Sequence, residues 1–192
     1  LTDVEKGMGG AVEKANELAN AIPGAVILGQ FDNAANPAAH YASTGPEIYD
    51  ATKGKTHFFV AGVGTGGTLS GAGKFLKERI PSLKIVAVEP ASSPLLTKGR
   101  TGAHGIQGIG ANFIPETLDK GIYDCVMDIS DDDAYRYARM TGREEGFLSG
   151  ISSGAALAAA VSIAKRDENA GKNIVVILPD GGDRYMSTPL FS

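Results

Sequence analysis

Gly62-Val63-Gly64-Thr65-Gly66-Gly67-Thr68 is the stretch on which the fold turns. Ahead of it, Thr56-His57-Phe58-Phe59-Val60-Ala61 is a short apolar run that predicts a buried strand. Behind it, Leu69, Ala72, Phe75, Leu76 and Ile80 recur at helical spacing. The unit therefore reads strand, glycine loop, helix, with the helix beginning near Thr65. That order aims backbone N–H groups and a positive helix end at one spot, where a phosphate would be held. The glycines let the backbone come close, and Thr65 and Thr68 add hydroxyl donors.

Two kinds of phosphate fit the loop. Gly62, Gly64 and Gly67 match the dinucleotide pattern G-x-G-x-x-G. The next predicted strand, Lys84 to Val88, ends in Glu89, where a nicotinamide enzyme would place its ribose-binding acid. A compact single phosphate ester is the other fit. A Walker loop is excluded, because no Gly-Lys-Ser/Thr follows the glycines.

Composition narrows the class. A chain of 192 residues builds one sizeable core plus an appendage. Its 43% hydrophobic and 21% charged content predicts a globular protein, and a net charge of −4 argues against nucleic acid as partner. No apolar run approaches the roughly 20 residues a membrane helix needs. Cys125 stands alone, so no intrachain disulfide forms, and a reducing, cytoplasmic setting is expected. His40, His57 and His104 lack metal-ligand spacing, so no metal site is expected. Cys125 itself reads as a small core residue.

Along the chain, a helix is predicted over Gly9–Asn20 and a strand over Ala25–Leu28 that delivers Gln30. The segment from Asn36 to Ile48 reads as loop, with a helix over Pro46–Ala51. Pro90 to Gly110 is glycine- and proline-rich loop with one helical turn near Pro94–Thr97. Asp124–Ile129 reads as a strand, and Ser130 with Asp133 as a capping box opening a helix to about Arg143. Asp131, Asp132 and Asp133 then serve the first turn and not a metal. Ser152 and Ser153 open an alanine-rich helix through Lys165, and Asn173–Leu178 is predicted as the most buried strand. Strands alternating with helices make the class α/β, with a largely parallel sheet flanked by helices. Gln30, the glycine loop, Glu89 and Asp180 all fall just beyond strand ends, where ligands of such sheets gather.

Taken together the motifs resemble the pyridoxal-phosphate (PLP) β-replacement enzymes, cysteine synthase (O-acetylserine sulfhydrylase) and cystathionine β-synthase. The matching stretches begin with Gln30-Phe31, Asn36-Pro37, Thr44-Gly45-Pro46-Glu47-Ile48 and the glycine loop. Val88-Glu89-Pro90, Ile106-Gln107-Gly108-Ile109-Gly110, Glu145 to Ala155, Leu178-Pro179 and Arg184 to Thr188 follow in family order. Threonine dehydratases and serine racemases are glycine-rich here but lack the Thr-Gly-Gly-Thr form. The resemblance implies the large domain of the tryptophan-synthase-β-like PLP fold. It implies a phosphate cradle of Gly64, Thr65, Gly66, Gly67 and Thr68. Ser152 would hydrogen-bond the pyridine nitrogen, although by itself that serine reads more readily as a helix cap. Gln30 would contact the substrate carboxylate and Gly108 would line the pocket. A neutral serine at the ring nitrogen suits β-elimination. The implied reaction removes acetate from O-acetylserine to give an α-aminoacrylate, to which sulfide adds to make L-cysteine. Glu89 then becomes a structural or pocket-wall residue. A homodimer is also implied, and in cysteine synthases a docking site for the C-terminus of serine acetyltransferase.

One element of the resemblance is missing. The family's lysine, which forms the internal Schiff base and moves protons at the substrate carbon, lies in an N-terminal stretch with no match here. Lys6, Lys53, Lys74 and Lys98 sit in no comparable context. The chain thus reads as a C-terminal portion, with residues 1–22 ending a smaller domain and 23–192 forming the α/β domain. No catalytic residue is assigned, and the portion alone is expected to be inactive. Cystathionine β-synthase activity is the near alternative. The others are a nicotinamide-dependent oxidoreductase, and a lysine-free module that binds a phosphate or a peptide.

Overall fold

The structure is a computed structural model, and it describes residues 1–191. Its elements run α1 (Gly7–Ala21), α2 (Ala35–Ala42), α3 (Thr44–Thr52), β1 (Phe58–Gly62), α4 (Gly67–Arg79) and β2 (Lys84–Pro90). There follow α5 (Leu95–Lys98), β3 (Cys125–Ile129), α6 (Asp131–Glu144), α7 (Ile151–Ala164) and β4 (Ile174–Val176).

All strands are parallel, in the order β3-β2-β1-β4. Alternate residues of the central strands feed two cores. Phe59, Ala61, Ile85 and Ala87 meet Leu69, Ala72 and Leu76 of α4 on one face. Val60, Val86 and Val88 meet Ile151, Ala155 and Ala159 of α7 on the other. Burial on both faces explains why these strands read as unbroken apolar runs. Each large side chain so buried contributes about 1.5–3 kcal/mol.

The order of strands also fixes where a ligand goes. From β1 the chain steps outward through β2 to β3, then returns so that β4 lies on the other side of β1. The direction of winding reverses between β1 and β4, with α4 on one face of the sheet and α7 on the other. In open parallel sheets the crevice for ligands opens at that reversal, beyond the carboxyl ends of the strands. Here those ends carry the glycine loop after β1 and residues 178–182 after β4.

Close helix packing rests on small residues. A side chain at Gly71 would collide with the Pro37 carbonyl of α2, and one at Gly154 with the Ala134 carbonyl of α6. Ser130 caps α6 by accepting the Asp133 amide at 3.1 Å.

The structure departs from the sequence reading in several places. Ala25–Leu28 forms no strand, and Val26 and Leu28 are 80% and 84% exposed. A strand needs a hydrogen-bonding neighbour, and no described strand pairs with this segment. The expected loop after Asn36 holds α2, and α3 starts at Thr44, before Pro46. Pro37 and Pro46 both fall in first turns, where a missing N–H costs nothing. The helix of the glycine unit begins at Gly67, not Thr65, because Gly66 takes a left-handed φ of 80° that ends the loop. β4 is short and half-buried, since it lies on an edge of the sheet. Cys125 is exposed at the start of the opposite edge strand and not in the core. Gly150, and not Ser152 or Ser153, occupies the cap position of α7. No helix among the described residues is long and apolar enough to cross a membrane.

Candidate active site

A cleft of about 750 Å³ opens at the carboxyl end of β1. Gln30 and Phe31, Gly64 and Thr65, and the loop from Gly102 to Asn112 line it. That volume suits a cofactor together with a small substrate.

Backbone donors converge on one wall. The amides of Gly64, Thr65, Gly66 and Thr68 donate to no carbonyl among the described residues, and the Gly67 amide donates to Thr65 Oγ1 at 3.2 Å. Four orphan N–H groups at the start of a 13-residue helix form an anion site by geometry and by dipole. Thr65 Oγ1 also accepts Asn36 Nδ2 at 3.0 Å, so its own proton remains to be donated. From below, Thr117 Oγ1 donates to the Thr65 carbonyl at 2.6 Å and holds the loop in shape.

Thr68 sits differently. Its hydroxyl meets His40 Nε2 at 3.1 Å, while His40 Nδ1 meets Thr44 Oγ1 at 2.9 Å. Burial lowers the His40 pKa from its ordinary 6.5, so the ring is neutral at pH 7 and carries one donor and one acceptor nitrogen. If Thr44 donates to Nδ1, then Nε2–H donates to Thr68 Oγ1 and leaves the Thr68 proton for a ligand.

The far wall is built by close approach. A side chain at Gly64 would strike the Gly108 carbonyl, and one at Gly108, where φ is 95°, would reach Ser152 Oγ at 3.3 Å. Ser152 is 3% exposed in the first turn of α7, and its hydroxyl has no hydrogen-bond partner among the described residues. Gly64, Gly108 and Ser152 are thus stacked neighbours, and the N-termini of α4 and α7 face the same region. Ser153, fully buried, instead donates to the Asp180 carbonyl at 3.3 Å. Gly66 is covered by Leu118 and Gly67 by Asn36, so both shape the loop from behind. Gln30 is exposed at the cleft mouth and its carbonyl accepts Asn36 Nδ2 at 2.9 Å.

Glu89 is occupied. It is 3% exposed and accepts the Leu96 amide at 2.7 Å, the Thr97 amide at 3.0 Å and Thr97 Oγ1 at 2.6 Å. A buried carboxylate satisfied by three donors caps α5 and is not offered to a ribose.

Three residues of the site escaped the sequence reading as functional. Asn36 and His40 brace the cradle from α2, a helix in a segment whose sequence reads as loop. Asp180 received no role beyond its place at a strand end. Tyr185 donates to Asp180 Oδ2 at 2.6 Å, and burial followed by the Asp180 charge raises the Tyr185 pKa. Among the described residues, no lysine lines the cleft.

The pyridoxal-phosphate dependent enzyme family matches residues 1–180. The cysteine synthase of Staphylococcus aureus is 49% identical over 193 residues, an alignment that covers all of this chain and 62% of that protein. Cysteine synthase from Entamoeba histolytica superposes with a TM-score of 0.93 at 43% identity, over the whole of this chain and 56% of its own. An O-acetylserine-dependent cystathionine β-synthase from Helicobacter pylori gives a TM-score of 0.93 at 40% identity, over all of this chain and 62% of its own. The chain therefore spans about three fifths of the length of the relatives it matches.

Proposed function

The chain belongs to the pyridoxal-phosphate-dependent enzyme family, and on that premise we propose that it supplies the cofactor cradle of a cysteine synthase. The complete enzyme would replace the acetate of O-acetylserine by sulfide to give L-cysteine. The observation that carries this reading is the set of unpaired amides at Gly64, Thr65, Gly66 and Thr68, set beside the Gly64–Gly108–Ser152 stack. A phosphate monoester and an aromatic nitrogen, a few ångströms apart on one small molecule, need donors in that arrangement.

PLP, when bound, supplies the electron sink that lets bonds at the α- and β-carbons of the substrate break. The chain's own residues bind and orient. The amides and hydroxyls from Gly64 to Thr68 hold the phosphate, and the α4 dipole favours its charge. Ser152 Oγ–H would donate to the ring nitrogen as a neutral partner that does not protonate it, which suits β-elimination. Gln30 binds the carboxylate of the amino acid at the mouth. Gly108 keeps the wall flat where a Cβ would crowd the ring. Taking and returning the α-proton falls to a lysine outside these 192 residues, as the resemblance implies, because none lines the cleft.

Residues 1–22 would end a smaller domain, which fits α1 burying only Gly10. Residues 23–192 would be the α/β domain. A homodimer is supported by the exposed apolar run Val26-Ile27-Leu28, and a docking site for the serine acetyltransferase C-terminus by the resemblance alone. A cytoplasmic setting is supported by the single unpaired Cys125. The Helicobacter pylori neighbour supports a second reading with the same cradle, in which homocysteine replaces sulfide.

Titration of the chain with PLP and with pyridoxal tests the cradle. PLP should bind and be displaced by inorganic phosphate, pyridoxal should bind at least tenfold more weakly, and Gly64→Ala should lose binding. Equal affinity for PLP and pyridoxal would refute it.

A further inference from the structure

Ser152 has no hydrogen-bond partner of its own among the described residues, while its neighbour Ser153 donates to the Asp180 carbonyl at 3.3 Å. The aim of the Ser152 hydroxyl is therefore decided by how the first turn of α7 is held. Gly150, at the cap position of that helix, has no side chain with which to close it. The hold comes from the segment after β4. Gly150 donates its amide to the Asp180 carbonyl at 3.0 Å, and Gly182 donates its amide to the Leu148 carbonyl at 3.1 Å. Asp180 Oδ2 accepts the hydroxyl of Tyr185, a residue 5% exposed, at 2.6 Å. Asp180 Oδ1 is buried with no hydrogen-bond partner among the described residues. It lies against the Gly150 backbone, since a side chain at Gly150 would collide with it and with the Tyr185 ring. A carboxylate oxygen without a partner is tolerated there because it sits at the positive end of α7.

We propose that Asp180 is a positioning residue, which with Tyr185 fixes the start of α7 so that Ser152 Oγ–H is aimed at the ring nitrogen of the cofactor. Tyr185 holds one carboxylate oxygen and the other packs on Gly150. The carbonyl of the same aspartate takes the Gly150 amide and the Ser153 hydroxyl. These contacts bracket Ser152 in sequence and leave its own hydroxyl free. The inference rests on the PLP reading of the cleft and adds to it the pair that orients the ring-nitrogen donor.

The test measures the affinity of the complete enzyme, stripped of cofactor, for PLP and for its deaza analogue, in which a C–H replaces the ring nitrogen. The wild-type enzyme should prefer PLP about three- to tenfold, the effect of one hydrogen bond, and Ser152→Ala should abolish that preference. Asp180→Ala frees Gly150 and Tyr185 together. Tyr185→Phe keeps the ring packed on Gly150 and removes only the bond to Oδ2, so it reads the same hold with the packing intact. Both should bring the preference below about twofold, while affinity for the analogue changes by less than about twofold. Asp180→Asn keeps the shape and an acceptor for Tyr185, and it should retain the preference. A preference that survives in either Asp180→Ala or Tyr185→Phe would overturn the assignment and leave the PLP reading standing. So would equal losses on both ligands, or an Asp180→Asn enzyme that loses as much as Asp180→Ala. A wild-type enzyme that binds both ligands equally would remove the role of Ser152 and this assignment with it. One that binds neither would sink the PLP reading itself.

Discussion

Asn36 Nδ2 lies 3.0 Å from Thr65 Oγ1, a hydrogen bond that joins α2 to the glycine loop across 29 residues of sequence. The same amide donates to the Gln30 carbonyl at 2.9 Å, so one side chain ties together the phosphate cradle and the substrate mouth. Asn36→Ala removes both bonds. Affinity for PLP should fall about five- to 150-fold, at roughly 0.5–1.5 kcal/mol for each of the two bonds lost. Calorimetric titration checks this, and an unchanged affinity would mean that the brace is idle.

His40 gives the protein a pH dependence of known sign. Its pKa is lowered in the folded chain by burial, so below the ordinary value of 6.5 the unfolded chain binds a proton that the folded chain resists. The neutral ring costs nothing above that pH, and stability falls as pH drops below it. Denaturant midpoints measured from pH 7.5 downward should decline below about 6.5, and His40→Gln should flatten that part of the curve. A variant with the wild-type slope would assign the decline to other groups.

Gly154 sets the approach of α7 to α6, because a Cβ there meets the Ala134 carbonyl and Ala138. Gly154→Ala should destabilise the fold by about 1–3 kcal/mol through overpacking, although alanine is the better helix former. Thermal melts decide the sign. A stabilised variant would show that the helices separate without cost.

Among the described residues, Val26 and Leu28 are the most exposed large hydrophobic side chains after Leu1. An uncovered apolar run of this kind drives association. The chain should sediment as a concentration-dependent mixture, and Val26→Lys with Leu28→Lys should shift it toward monomer. No change on substitution would place the contact elsewhere.

Much of this site was legible in the sequence. The glycine loop announced itself because a strand, a turn that needs Gly66 and an apolar helical face follow one another without interruption. Ser130 with Asp133 revealed the start of α6 for the same reason, since a cap is a local arrangement. The remainder depended on tertiary contacts. Periodicity cannot tell an edge strand from a central one, so β4 and Cys125 read as more buried than they are. Ala25–Leu28 has strand character, but pairing is decided by a neighbour that local sequence does not name. α2 was hidden behind Asn36-Pro37, and with it the two side chains that brace Thr65 and Thr68. Glu89 sits by position where a ribose ligand would, the resemblance makes it structural or pocket-wall, and the contacts that cap α5 are tertiary detail no local pattern names.

The most direct test of the central claim treats the chain with PLP, reduces with borohydride, and maps modified residues by mass spectrometry. The cradle holds the phosphate without a covalent link and no lysine lines the cleft, so PLP should bind, leave no stoichiometric adduct on any one lysine, and give no turnover of O-acetylserine with sulfide. Adding the portion that carries the family's lysine should produce both the adduct and cysteine. A full PLP adduct on a single lysine of this chain, accompanied by turnover, would contradict the account.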